Sequence, residues 1–275
     1  MQNLIEAISV GIKDFIIKTG SAGVLVGLSG GIDSSLTAAL AVRALGAKSV
    51  IGVRLPSRFS SAHSLSDAKA LASNLNINIK TFNIELLAEQ FRLLVKMSNP
   101  ISDQNLQARI RAIILMSISN ETGHLVLSTS NKSELSIGFG TLYGDLCGAL
   151  MPLGDVYKTE IWEMAHVLNQ NWPVIPKNSI IKLPSAELAE NQFDHDTLPP
   201  YKILDQILKC FIEKNMNIAD ISKKIKIPIK KLREIINRVN FSEFKRKQSP
   251  PILMISRQVF GESRRWPIVT SCQLR

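Results

Sequence analysis

Apolar and polar positions in the first half of the chain switch between two periods. Residues 3 to 18 set Leu4, Ile5, Ile8, Ile12, Phe15 and Ile16 three and four apart, which predicts an amphipathic helix. Val24, Leu25, Val26 and Leu28 form a short apolar run that predicts a buried strand. Ala38, Ala39, Leu40, Ala41, Ala44 and Leu45 then predict a helix ending at Gly46. The alternation continues with a strand over 49–54, a helix over 65–75 capped by Ser64, and a strand over 77–83. Helices over 85–97 and 103–120 and a strand over 124–130 come next. Strands separated by helices predict an α/β fold: a Rossmann-like parallel sheet with helices on both faces and right-handed crossovers.

After Gly138 the periodicity fades. Glycines and turn residues crowd 138–155, a helix is expected over 158–169, and prolines at 173, 176, 184, 199 and 200 punctuate a long irregular stretch. Helices resume over 201–214, 217–225 and 228–239, the last opened by Pro228 in its first turn. Phe260 and Trp266 are expected to pack the proline-broken tail onto the rest. The organisation predicted is one domain, a core over 1–150 and a lid, helical and basic part over 151–275.

The chemistry lies in the turn between the first strand and its helix. Gly27, Gly30 and Gly31 favour a close backbone approach to a ligand, and Ser29, Ile32, Ser34 and Ser35 complete a loop whose backbone amides face an anion. No lysine follows the second glycine, so this is not G-x-x-x-x-G-K-[ST], nor is it G-x-G-x-x-G. Asp33 inside an anion cradle requires a cation, which makes it a candidate ligand for phosphate-bound magnesium. The competing reading is a plain strand-turn-helix corner with a capping Asp. In a parallel sheet this loop falls beyond the carboxyl ends of the strands, and Arg54 and Leu55, ending the second strand, are placed to touch the same nucleotide.

Composition narrows the classes. The 275 residues carry a net charge of +10, with 13 Lys and Arg against 5 Asp and Glu between Lys202 and Lys247. That patch suits nucleic acid or small polyanions. Aromatics are only 6% and do not interleave with the charges, so nucleic acid ranks low. Cys147, Cys210 and Cys272 are too scattered for a disulfide framework, and His63, His124, His166 and His195 show no metal-ligand spacing. No apolar run spans a membrane and no signal peptide is evident, so a cytoplasmic protein is expected.

Downstream strings then select a family. QNLQARIR (104–111), STSNKSELSIGFGTLYGD (128–145), GDVYKTEIW (154–162), LPSAELAENQFDHDTLPPY (183–201), EFKRKQSPP (243–251) and FGESRRWPI (260–268) together with the loop resemble NAD synthetase. More narrowly, they resemble the synthetase portion of its glutamine-dependent form, without the glutaminase domain. The resemblance implies an adenine-nucleotide α-hydrolase-like fold. It also implies a ligase that adenylates deamido-NAD with ATP, releases pyrophosphate, and displaces AMP with ammonia. By that resemblance Asp33 and Lys158 are catalytic, Asp33 and Glu134 hold magnesium, and Thr129, Lys158 and Ser185 contact ATP. Asn105, Arg109, Arg111, Asn131, Lys132, Glu134, Phe244 and Lys245 are assigned to deamido-NAD.

Leu142, Ala149 and Phe244 depart from residues of the shorter ammonia-dependent enzymes, which puts recognition of the nicotinate end in question. The expected partners are the small substrates, a second copy along helix 103–120 through Leu106, Ile110, Ile113, Ile114 and Ser117, and a separate glutaminase subunit as one source of ammonia. The stretch 185–200 is expected to be a lid. Two rivals remain: another loop-superfamily ligase acting on tRNA, and a nucleotide-sensing protein without catalysis.

Overall fold

The computed structural model describes residues 1–190, 192–260, 263 and 265–268. Cys272 and parts of the FGESRRWPI string lie outside them. The order of elements is α1 (Gln2–Thr19), β1 (Gly23–Gly27), α2 (Ile32–Leu45), β2 (Val50–Arg54), α3 (Ala62–Asn74), β3 (Asn78–Thr81), α4 (Glu85–Val95), α5 (Pro100–Thr122) and β4 (His124–Leu127). Then come α6 (Lys132–Ile137), α7 (Lys158–Asn171), α8 (Lys177–Ile181), α9 (Tyr201–Leu208), α10 (Ile218–Ile225), α11 (Ile229–Phe241) and α12 (Glu243–Arg246).

All four strands run parallel in the order β3-β2-β1-β4. Because successive side chains point to opposite faces, β1 feeds two cores. Val24 and Val26 meet Ile5, Ile8 and Ile12 of α1 and Leu36 and Leu40 of α2. Leu25 turns the other way, with Val53 and Val126, onto Ile84, Ala88 and Ile110 beside α4 and α5. The expected α/β architecture is therefore present. A third cluster joins α6 to α9, α10 and α11 through Leu135, Leu204, Ile221 and Ile236, and Phe260 closes it with Trp266 at 5.2 Å. The Arg246 guanidinium stacks on both rings, so the tail is packed down as expected.

Local chemistry explains where the boundaries moved. The α3 helix starts earlier than predicted because Ser61, not Ser64, is its cap and accepts the Ser64 amide at 3.1 Å. The α5 helix also starts earlier, with Asn99 as cap and Pro100 in the first turn. Pro228 sits at the cap of α11, one position before the helix. Short helices α6, α8 and α12 have no counterpart in the sequence pattern; each is six residues or fewer, too short for a periodic signal.

The stripe assigned to a subunit seam mostly serves the core. Leu106, Ile110 and Ile114 pack under the sheet, leaving Ile113 and Ser117 of that set exposed. Those three side chains are taken up by the sheet, and only the exposed remainder of α5 is left for a second copy.

Candidate functional site

The loop Ser29–Ser35 follows β1 and opens α2, whose first turn begins at Ile32. The loop is held by its own serines. Ser29 Oγ accepts the Gly31 amide at 3.2 Å, and Ser34 and Ser35 donate to the Gly31 carbonyl at 3.1 and 2.8 Å. Only Gly30 requires glycine: its φ is +79° and a Cβ there would overlap the Ser64 carbonyl at the start of α3. Gly27 and Gly31 have ordinary φ angles, so their smallness serves approach to the loop rather than the turn.

Asp33 points from the first turn of α2 toward α6 and α7. Its Oδ1 accepts from Asn131 Nδ2 at 2.9 Å and its Oδ2 from Lys158 Nζ at 2.5 Å. The same ammonium reaches Glu134 Oε1 at 3.3 Å. Asn131 caps α6, with its Oδ1 on the Glu134 amide at 3.0 Å and its own amide on Glu134 Oε2 at 3.4 Å. The capping box that starts α6 thus aims both Asn131 and Glu134 at Asp33.

Lys158 is the first residue of α7, a helix end that needs outside acceptors for its amides. Ser133 Oγ accepts the Lys158 amide at 2.9 Å, and Asp205 from α9 accepts the Thr159 amide at 2.8 Å and the Ser133 hydroxyl at 2.5 Å. Tyr201 and Trp162 wall the ammonium at 5.1 and 6.0 Å from their ring centres. Burial opposes the Lys158 charge, but Asp33 and Glu134 outweigh it and hold the ammonium protonated above the ordinary lysine range. Glu134 moves the other way: burial raises its carboxyl, Lys158 pulls against that, and Asp33 adds to it.

The other ATP-side candidates lie at strand ends and on the strap after α8. Arg54 ends β2 with its Nε buried and without a hydrogen-bond partner among the described residues, a donor suited to a ligand. Thr129 lies just past β4, next to β1 in the sheet. Ser185 is on the strap after α8, where its hydroxyl donates to the Gln192 carbonyl and accepts the Glu187 amide at 3.1 Å.

The dinucleotide candidates divide. Asn105 accepts the Thr141 hydroxyl at 2.7 Å and Arg109 donates to the Leu142 carbonyl at 3.2 Å, so this face of α5 lines the 138–145 loop. Lys245 reaches the same loop, at 2.8 Å from the Gly138 and 2.7 Å from the Gly140 carbonyl, with Phe244 exposed beside it. Arg111 donates to the Leu55 carbonyl at 3.0 Å, and burial lowers its guanidinium to about 10, with Glu187, Asp145 and Glu85 opposing.

Lys132 does not join them. Its side chain turns to the opposite side of α6 and is wholly buried, bonded to Asp155 at 2.9 Å, Glu213 at 3.1 Å, Ser256 Oγ at 2.8 Å and the Gln258 carbonyl at 3.0 Å. Three ammonium protons with four acceptors leave nothing for a ligand. Lys132 and Glu134 stand two positions apart on α6, about 200° around the helix, so Lys132 leaves the face that Glu134 presents to Lys158.

Sequence reasoning missed Ser133, Trp162, Tyr201 and Asp205, although the first three lie inside the strings that carry the family resemblance. They act on Lys158 rather than on a ligand, and no spacing rule announces that.

A family model described as NAD synthase matches residues 4–249. A glutamine-dependent NAD(+) synthetase of Aquifex aeolicus is 43% identical over 272 residues, covering 97% of this chain and 48% of that protein. The chain therefore spans about half the length of such relatives. Among solved structures, an NH3-dependent NAD synthetase from Campylobacter jejuni superimposes with a TM-score of 0.72 at 31% identity, covering 92% of this chain and 98% of that one. An NMN synthetase from Francisella tularensis gives a TM-score of 0.74 at 27% identity, covering 88% and 94%.

Proposed function

Because this chain belongs to the NAD synthase family, we propose that it amidates deamido-NAD to NAD, spending ATP to AMP and pyrophosphate and taking ammonia as the direct nitrogen donor. The observation that carries this reading is the meeting of Asp33, Glu134 and Lys158 beside the first turn of α2, whose amides receive no side-chain cap. Adenylyl transfer is governed by positioning and charge neutralisation, and this is the residue set such a step needs.

In the first step a nicotinate carboxylate oxygen bonds to the α-phosphorus of ATP as the bond to the pyrophosphate leaving group breaks. The loop amides and Lys158 neutralise the phosphates, and Arg54 orients the nucleoside. In the second step ammonia attacks the activated carbonyl carbon, a proton is lost, and AMP departs. Two carboxylates already converge on a cation, the Lys158 ammonium, and no cluster of three or more metal-ligating side chains occurs among the described residues. That fits magnesium, which uses one or two carboxylates plus substrate phosphates. Asp33 and Glu134 would hold the ion, and it would supply charge neutralisation on the phosphates.

Asn105, Arg109, Phe244 and Lys245 at the 138–145 loop form the second arm, for the dinucleotide. The thiols support ammonia as the direct donor. Cys147 is pushed up to about 11 by burial and by Asp145, the reverse of a thiolate nucleophile, and Cys210 is buried. The described part of the chain thus supplies no glutaminase nucleophile, and ammonia comes from solution or from a glutaminase unit outside these residues. No described helix is long and apolar enough to cross a membrane.

The chain is also proposed to pair with a second copy. Leu86, Leu93, Leu94 and Val95 of α4 and Ile101 and Ile113 of α5 are exposed apolar side chains of the kind a partner surface covers. Light scattering should give a dimer that Leu94→Glu weakens.

The test of the reaction is NAD formation by the 275-residue chain from ATP, deamido-NAD and ammonium, with glutamine and nicotinate mononucleotide as alternative substrates. Ammonium-dependent NAD with little glutamine use supports the reading. Robust glutamine-driven synthesis would overturn the nitrogen assignment, and preference for the mononucleotide would overturn the substrate.

A further inference from the structure

The strap that carries Ser185 is tied to the core by a carboxylate that no substrate role requires. Glu187 Oε1 accepts the Ser61 hydroxyl at 2.9 Å and the Ser64 hydroxyl at 2.6 Å, and its Oε2 accepts the Ser61 amide at 3.2 Å. Ser61 is the cap of α3, so a negative charge sits on the positive end of that helix. Lys182 completes the knot, donating to Ser64 Oγ at 2.9 Å and lying 3.9 Å from Asp67. The Ser64 hydroxyl therefore accepts one hydrogen bond from Lys182 and donates its own to Glu187.

Two further facts show that the contact is built rather than incidental. Glu187 has φ +49°, a left-handed conformation that a non-glycine residue adopts only when its surroundings hold it there. Its neighbour Leu188 is fixed as well, its carbonyl accepting from the buried Gln107 at 3.1 Å. On the other side, the Ser64 backbone is in contact with Gly30 of the phosphate loop. The chain of contact runs Ser185, Glu187, Ser64, Gly30, from the strap to the cradle.

We propose that Glu187 is a positioning residue: its clasp on Ser61 and Ser64 sets the strap, and with it Ser185, at a fixed height over the phosphate loop. This rests on the reading of that loop as an ATP site. The clasp is made by the chain's own residues, so it is measurable without turnover.

The experiment compares the full chain with Glu187→Ala, Glu187→Gln and Ser61→Ala/Ser64→Ala. Without ligands, limited proteolysis should cut within 183–200 several-fold faster in Glu187→Ala, with an unchanged global melting temperature, and likewise in the serine double variant, which also loses the α3 cap and should melt a few degrees lower. Glu187→Gln keeps a carbonyl acceptor for the hydroxyls and should fall between. In the ammonium-dependent assay, Glu187→Ala should raise KM for ATP about tenfold while kcat falls less, the mark of lost positioning. Wild-type cutting rates in Glu187→Ala overturn the clasp. Faster cutting with unchanged KM for ATP overturns its positioning role. A wild-type chain that forms no NAD yet shows the protection difference overturns the functional reading and leaves the clasp standing.

Discussion

The two buried lysines near α6 occupy opposite sides of that short helix, and they differ in how their charge is answered. Lys132 meets four acceptors fixed by the fold, two of them side-chain or backbone oxygens of the tail at Ser256 and Gln258. Its partner Asp155 is likewise saturated, by the Ile255 and Ser256 amides at 2.9 and 2.6 Å and the Ser256 hydroxyl at 2.9 Å. Lys158 meets two carboxylates that have few other partners, next to the first-turn amides of α2, which have no acceptor within their own helix. A buried ion cluster that closes on itself holds the fold together. One left open beside free donors is arranged for something that arrives.

The sharpest way to break this contrast is to remove charge from the open cluster. Asp33→Ala should lower ammonium-dependent turnover by on the order of 100-fold or more, because the carboxylate acts where charge develops. The melting temperature should move little, since the Glu134 carboxylate remains to answer the Lys158 ammonium. Lys158→Met should match it in turnover. Near-normal turnover in either variant would remove these residues from the chemistry.

The closed cluster should respond in the opposite sense. Lys132→Met leaves Asp155 buried without its counter-charge and should cost about 3 kcal/mol in denaturant unfolding, within the range for a broken buried pair. The folded fraction should keep its KM for ATP within about threefold, because Asn131 and Glu134 are held from the other side of α6. A large KM effect with intact stability would place Lys132 among the ligand contacts after all.

How far this contrast was legible in the sequence depends on the scale of the signal. The sheet and its helices were readable because β1 is a short apolar run and α1 carries a clean helical period, and the phosphate loop because Ser29 to Ser35 is a contiguous string. The convergence on Asp33 needed the fold: Asn131, Glu134 and Lys158 lie about a hundred or more positions away and are joined only by helix ends. Lys132 shows the limit of a motif. Family strings say that a residue belongs to a site region, while the half-turn between Lys132 and Glu134 on α6 decides which of them faces it. The same limit hid Asp205, which caps α7 from a distant helix and has no local pattern.

The glycine turn tests the open region more gently. Gly30→Ala brings a Cβ against the Ser64 carbonyl in a left-handed backbone, where Gly31→Ala meets only the Ser29 hydroxyl at 3.3 Å. The first should cost about 1–2 kcal/mol of stability and raise KM for ATP as the loop shifts against α3. The second should change stability by less than about 1 kcal/mol. Equal effects in melting curves would mean that the turn does not depend on Gly30.

A third charge cluster, between α4 and α5, lies between the other two in kind and should give the smallest effect. Arg92 bridges Asp103 at 2.5 Å and Glu85 at 2.6 Å, and all three side chains keep some contact with solvent. Burial raises both carboxyl pKa values, but hydrogen bonds from Arg92 outweigh it and hold Glu85 and Asp103 below their ordinary range. A carboxylate with a lowered folded pKa adds stability above its unfolded pKa, near 4, and loses it as pH falls through the folded value. Arg92→Ala should therefore cost on the order of 1 kcal/mol at pH 7, and the gap to the wild type should shrink as the medium is taken below about pH 4. Denaturant midpoints measured from pH 7 to pH 3 read this directly. A gap that stays constant across that range would mean the clamp contributes by packing of the Arg92 stem, not by charge, and would place it with neither of the two lysine clusters.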